Sequence, residues 1–229
     1  MILAAGMGSR MGALTADVPK PLLPVCGRPI IDYVVDKLVD AGVERIVINL
    51  HHRGERLRAH FDGRDDAEFV FSEESSGILG TGGGIAHALE HLGAEPFFVV
   101  NGDVIWFDAA RSSLRDMAAR FDPAQMDGLL LLHPTIDAVG YAGVGDFQMD
   151  QIGCLIRRPE SRVVPFVYTG VQLLQPSLFA DCPDGAFSIN MLYDRAIEAE
   201  RMFGWRHEGD WMELNTPEGL RMAEALLTG

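Results

Sequence analysis

The chain has 229 residues, 48% hydrophobic and 23% charged, with no repeat or low-complexity tract, which gives one ordinary globular core and excludes a disordered or fibrous chain. Its 19 basic and 33 acidic residues leave a formal charge of −14, arguing against a general nucleic-acid or anionic-membrane surface, so any positive charge that matters is local. Cys26, Cys154 and Cys182 are odd in number and lack metal-ligand spacing; read as reduced thiols, without a basic-then-apolar leader or an apolar run near the ~20 residues of a membrane span, they place the chain in the cytoplasm by expectation.

Met1 to Leu3 reads as the end of a buried strand, and Ala4 to Gly8 as a loop of small residues whose amides can approach a bulky anion. A dinucleotide fingerprint fails because Met11 stands where a third glycine belongs, and a P-loop fails because Lys20 follows Pro19. Gly6 and Gly8 alone fit a phosphate cradle and a ligand-free turn equally well. Arg10, with Lys20 between Pro19 and Pro21, favours the cradle.

Ile30, Ile31, Val34, Val35, Leu38 and Val39 recur at helical spacing, with Gly42 at the C-cap. A strand over 43–50, a short helix over 54–61 and a strand over 68–72 complete a βαβαβ start, which predicts an α/β class with a largely parallel sheet. His51 and His52 follow a strand end but have no third ligand nearby, so they read as loop residues. Residues 72–84 are a polar loop running into glycines before a helical pattern over 85–92. Their bare backbone fits either a flexible turn or a surface for a planar base. His87 and His91 match a zinc-peptidase pattern formally, but no third ligand is identifiable.

Pro96 to Val100 reads as a strand ending in Asn101-Gly102-Asp103, with a carboxylate at the carboxyl edge of the sheet. Asp103 there is either a turn former or a cation ligand. A helix over 109–120 and a strand over 128–133 follow. Beyond Gly140, short glycine-punctuated strands over 144–149, 152–157 and 163–174 predict a small β-rich portion over one side of the site. Ser188 is an N-cap candidate for an amphipathic helix, and a last helix follows Pro217.

Leu3-Ala4-Ala5-Gly6-x-Gly8-x-Arg10 with Pro19-Lys20-Pro21 resembles the N-terminal pattern of the sugar-1-phosphate nucleotidylyltransferases. The resemblance implies a Rossmann-like, GT-A-like three-layer sandwich with a mainly parallel mixed sheet. It also implies a single domain over 1–229, with a nucleotide-binding part at 1–135 and a sugar-binding part at 136–229. It assigns the nucleotide to Leu3, Ala4, Ala5, Gly6, Met7, Gly8 and Ser9, and the base to Glu73, Leu79, Gly80, Thr81 and Gly82. Lys20, Arg10 and Asp103 are the implied catalytic residues, and Asp103 the implied ligand of Mg2+. Asn101, Gly143, Arg158, Thr169, Gly170 and Asn190 are the implied sugar contacts.

Two departures from the family pattern stand out. Arg157-Arg158-Pro159 replaces a Glu-Lys-Pro common among relatives, and a guanidinium differs from an ammonium in its fork geometry. Glu213 replaces the Asp of Trp-x-Asp-x-Gly-Thr-Pro, leaving open whether Glu213, Asp210 or Asp103 alone joins the metal.

The implied reaction transfers a nucleoside monophosphate from a nucleoside triphosphate to a sugar 1-phosphate. The nucleophile is already ionised, so no general base is needed and the protein positions and neutralises charge. The compact chain, the run from Thr81 to Gly84 and the segment from Phe187 to Ile197 point within the family to uridylyl transfer onto N-acetylmuramate 1-phosphate in cell-wall recycling. Guanylyl transfer to mannose 1-phosphate and uridylyl or thymidylyl transfer to glucose 1-phosphate are the near alternatives. A noncatalytic nucleotide-sugar sensor is the alternative of another class. No nucleic acid or membrane partner is expected, and the chain is expected to be a monomer or small homo-oligomer.

Overall fold

The computed structural model describes residues 1–75 and 77–228. Its first strand, Ile2–Leu3, lies between Arg45–Leu50 and Phe97–Asn101, parallel to both, and Glu68–Glu73 extends the sheet beyond Arg45–Leu50. The helices entering these strands lie on opposite faces. Ile30–Asp40 packs Ile31, Val34, Val35 and Leu38 into one core with Ile46 and Ile48, whereas Gly80–Leu92 packs Ile85 and Ala88 into another with Val47 and Val99. The chain therefore changes winding direction about its first strand. That leaves a crevice at the carboxyl ends of Ile2–Leu3 and Phe97–Asn101, where ligands of open α/β sheets bind.

The alternation of apolar positions explains the strand faces. Val47 and Val99 face one layer and Ile46, Ile48 and Val100 the other, so strands covered on both sides read as continuous apolar runs. Ile30–Asp40 ends as its sequence predicts: Gly42 takes φ 95°, its N–H bonds Val39 O at 2.9 Å and the N–H of Val43 bonds Leu38 O at 3.0 Å.

The later strands form a β-rich portion that is continuous with the main sheet. Phe166–Leu174 runs antiparallel between Phe97–Asn101 and Gly128–Pro134, and Phe147–Met149 with Leu155–Arg157 continues the same sheet to its edge. The sheet is mixed, with nine strands and helices on both faces, and Met202–Arg206 pairs in parallel with Gly128–Pro134. The glycine punctuation marks the bends between these short strands. Two helix starts also differ from the sequence reading: Gly80–Leu92 begins inside the glycine run, and Ser113–Arg120 begins after a non-helical 109–112.

A separate two-stranded ribbon pairs Val104–Phe107 with Asp210–Glu213, a long-range contact that no local pattern announces. It sets Glu213 opposite Val104, the neighbour of Asp103. A third core cluster of Met11, Leu23, Val25, Ile30, Ile105, Met212, Leu214 and Leu220 lies beneath it and ties the glycine loop to the terminal helix, Pro217–Thr228.

Candidate active site

The glycine loop leaves the first strand and closes into the 3₁₀ turn Ser9–Thr15, pinned by buried Met11, whose N–H bonds Gly8 O at 2.8 Å. Gly8 has φ 62°, and a Cβ there would stand 2.9 Å from Thr15 Cγ2, so both conformation and space require glycine. Ala4 and Ala5 are buried, Leu3 and Gly8 half-buried, and Gly6, Met7, Ser9 and Arg10 exposed. The exposed members are free to meet a ligand.

Lys20 enters on the next 3₁₀ turn with its side chain 8% exposed. Its Nζ donates to Asp103 Oδ2 and to Asn215 Oδ1, each at 2.5 Å. Asn215 Nδ2 in turn donates to Glu213 Oε1 at 2.8 Å. Residues 83 and 195 positions apart in sequence thus meet at one ammonium. A cleft of ≈ 200 Å³ opens over this group, and Gly6, Gly8, Ser9, Arg10, Lys20 and Asp103 all line it. A second, of ≈ 230 Å³, shares Leu3, Gly6 and Asp103 and runs on past Asn49, Ile78, Gly80, Thr81 and Asn101. The larger hollow of ≈ 530 Å³ beside Gly54–His60 contains none of Arg10, Lys20 and Asp103 and is walled by the paired Arg58 and Glu73, so it is not the site.

Several expected contacts are displaced. Glu73 points outward to Arg58 at 2.6 Å; the carboxyl beneath the site belongs to Glu74, which is 2% exposed. Glu74 Oε1 accepts from Asn49 Nδ2 at 2.6 Å and Oε2 from the Leu79 N–H at 2.8 Å, while Asn49 Oδ1 accepts from the Ala4 N–H at 2.7 Å. Strand alternation puts these successive carboxylates on opposite faces. Gly82 is buried rather than open to a base: its N–H and that of Gly83 bond Phe187 O at 3.0 and 3.3 Å, and a Cβ on Gly82 would strike the Phe187 ring at 2.3 Å. The Leu79 carbonyl accepts from the Phe187 N–H at 3.0 Å, and Thr81 Oγ1 accepts from the Ile189 N–H at 3.1 Å. Gly80 and Thr81 still line the second cleft.

Among the residues expected to meet the sugar, Gly170 has φ 86°, and a Cβ there would lie 2.8 Å from Asn101 Nδ2, so these two lie together beside the cleft. Thr169 is fully buried, its hydroxyl donating to Leu131 O at 2.8 Å and its carbonyl accepting from Trp211 Nε1 at 2.9 Å. It holds the sheet and cannot touch a sugar through its side chain. Asn190 receives Arg157 at its carbonyl and at Oδ1, both 3.2 Å, and the Arg158 guanidinium folds onto Pro159 O and Glu160 O of its own loop. Gly143 is exposed, and a Cβ there would meet the Tyr141 hydroxyl at 2.2 Å.

Behind this wall Trp211 lies 6.2 Å from Tyr141 and 6.1 Å from His133, and His207 is 5.8 Å from His133. Burial pushes both imidazoles below their ordinary pKa, and neither nitrogen of His133 has a hydrogen-bond partner among the described residues.

Sequence reasoning passed over Asn49, Glu74 and Asn215. Only Asn215 had a readable signal, since it stands where Trp-x-Asp-x-Gly-Thr-Pro has glycine.

A glycine loop, a buried ammonium and a carboxylate converging at the switch point of a mixed α/β sheet define a nucleotide-handling protein. Residues 1–135 match the MobA-like NTP transferase domain, and the chain belongs to the sugar-1-phosphate nucleotidylyltransferases of that family. It is 39% identical over 231 residues to N-acetylmuramate alpha-1-phosphate uridylyltransferase of Caulobacter vibrioides, covering 99% of this chain and 96% of that one. The enzyme of the same name from Neisseria meningitidis is 34% identical over 239 residues, covering 99% and 96%. A crystal structure of UDP-glucose pyrophosphorylase complexed with UDP-glucose superposes with a TM-score of 0.81 at 20% identity, covering 99% of this chain and 97% of that chain, and supports the fold.

Proposed function

We propose that this chain transfers UMP from UTP to N-acetylmuramate 1-phosphate, releasing pyrophosphate, and that it serves the recycling of cell-wall sugars in the cytoplasm. The observation that carries the reading is the Lys20 ammonium held 2.5 Å from Asp103 on the floor of the glycine-lined cleft. The two relatives of that name, similar along nearly their whole length, support the choice of substrates.

The sugar phosphate oxygen attacks the α-phosphorus in line, and the protein supplies position and fixed positive charge. Lys20 stabilises charge developing on the α-phosphate, and Arg10, which makes no hydrogen bond to the described residues, is free to hold the departing pyrophosphate. Asn101 and the bare backbone at Gly170 receive the sugar; Gly80 and Thr81 border the base.

The donor set suits magnesium. Asp103 keeps one oxygen without a hydrogen bond among the described residues, Glu213 is half-buried close by, and carboxylate oxygens are the hard ligands that ion selects. Asp103 and Glu213 would hold it, and when bound it would neutralise phosphate charge that an acidic protein otherwise repels.

Pyrophosphate release, measured with magnesium over four nucleoside triphosphates and several sugar 1-phosphates, tests the reading. UTP with N-acetylmuramate 1-phosphate is expected to exceed every other pair by at least ~10-fold in kcat/KM, about 1.4 kcal/mol of discrimination. A different leading pair corrects the substrates, and nucleotide binding with no transfer to any acceptor marks a nucleotide-sugar sensor instead.

A further inference from the structure

Asn215 lies between the Asp210–Glu213 strand and the Pro217–Thr228 helix, and its amide touches two charged groups of the site. The chemistry of those neighbours dictates its orientation. An ammonium offers only hydrogens, so Oδ1 faces Lys20; an ionised carboxylate offers only lone pairs, so Nδ2 faces Glu213. The result is a continuous line from the Asp103 carboxylate through the Lys20 ammonium and the Asn215 amide to the Glu213 carboxylate.

The same two positions are those where this chain leaves the pattern Trp-x-Asp-x-Gly-Thr-Pro, with Glu for Asp and Asn for Gly. A glutamate has one more rotatable bond to fix than an aspartate, and a lysine is among the side chains that lose most freedom on ordering. One amide restrains both.

We propose that Asn215 is a positioning residue that fixes Lys20 and Glu213 together, and that Glu213 and Asn215 work as a coupled pair. This rests on the reading of the cleft as a nucleotidyl-transfer site. Neither residue is interchangeable alone: an aspartate at 213 no longer reaches the amide, and a glycine at 215 releases both the ammonium and the longer carboxylate arm.

The test is a cycle of Asn215→Gly, Glu213→Asp and the double variant, with a second readout that does not depend on turnover. Each single change is expected to lower kcat by about 10-fold or more with the KM for the triphosphate little altered, and the double variant is expected to lose little more than Asn215→Gly alone, because without the amide the carboxylate at 213 has no contact left to lose. The chain contains only two lysines, Lys20 and Lys37, so lysine-labelled protein gives two ammonium signals by NMR. Exchange of the Lys20 ammonium protons with water should quicken several-fold in Asn215→Gly, while Lys37, held by Asp108 at 2.7 Å, serves as the unchanged reference. Unchanged Lys20 exchange, or losses that merely add in the double variant, would overturn the proposal. If the wild type transfers nucleotide to no acceptor, the proposed function falls, and the exchange measurement alone decides the Asn215 link.

Discussion

Asn49 Nδ2 donates to Glu74 Oε1 at 2.6 Å, and through that bond the glycine loop after the first strand and the loop at Leu79 are held by one buried unit. Asn49 Oδ1 takes the Ala4 N–H, and Glu74 Oε2 takes the Leu79 N–H. Three hydrogen bonds run through the two side chains, and each joins a donor to an acceptor. Glu74→Gln keeps the shape but turns one acceptor into a donor that faces a donor. The expected loss is about 1–3 kcal/mol in chemical denaturation, the cost of a buried group left unmade. Because the displaced segments border the two clefts proposed to take the nucleotide, the KM for the triphosphate should rise on the order of 10-fold with a smaller change in kcat. Glu73→Gln, which removes only an exposed pair with Arg58, should alter stability by less than about 1 kcal/mol.

Lys20→Ala tests the proposed role of the ammonium directly. Removing one preorganised charge donor is expected to lower kcat by about 10²–10³, with the circular dichroism spectrum unchanged. Asp103 keeps 26% of its side chain exposed, so water can solvate the carboxylate once its partner is gone. Near-normal turnover in this variant would remove Lys20 from the mechanism.

How far the chain can be read without coordinates depends on the kind of signal. Ile30 to Gly42 carries local information, with helical spacing and a glycine that must adopt φ 95°, and the helix ends where those residues say it does. The approach of Lys20 to Asp103 was legible as an expectation only through motif similarity, because no local pattern announces a contact across 83 positions. Glu73 against Glu74 is a question of strand phase, which a polar loop with no alternation leaves open. The glycines after Leu79 are ambiguous for another reason. A sequence cannot distinguish a residue left bare for a ligand from one left bare for a neighbouring segment, and Gly82 serves Phe187. The antiparallel placement of Phe166–Leu174 inside the main sheet is a long-range pairing of the same illegible kind.

Gly83→Ala tests that packing reading. A Cβ at this position would lie 2.2 Å from the Gly185 carbonyl oxygen, which is backbone and cannot turn aside as a side chain would. The usual gain of alanine over glycine in a helix, about 1 kcal/mol, should therefore be reversed into a net loss of about 1–3 kcal/mol. Thermal unfolding of the variant measures it. A stabilised protein would mean that the 183–187 segment yields readily and that the glycine run is not a docking surface for it.

The buried imidazoles predict a pH dependence of stability. Burial, first of all, lowers His133 and His207 below the ordinary value of 6.5; Asp137 and Asp210 oppose that shift at His133, and Arg206 adds to it. As the pH falls below 6.5, an unfolded chain takes up a proton at each histidine while the folded chain resists until a lower pH is reached. The unfolded state then binds more protons, so stability rises with pH through this window and is lost as the pH drops through it. His133 makes no ring hydrogen bond to the described residues, so an apolar residue can replace it without leaving a partner orphaned. His133→Leu is accordingly expected to lie within about 1.5 kcal/mol of the wild type at pH 7.5 and to lose less stability than the wild type between pH 7 and 5. Urea unfolding at several pH values measures both, because carboxylates common to the two proteins cancel in the difference. A difference that stays constant from pH 7.5 to 5 would show that His133 does not carry the acid sensitivity, and the same comparison with His207→Gln would then locate it or clear both rings.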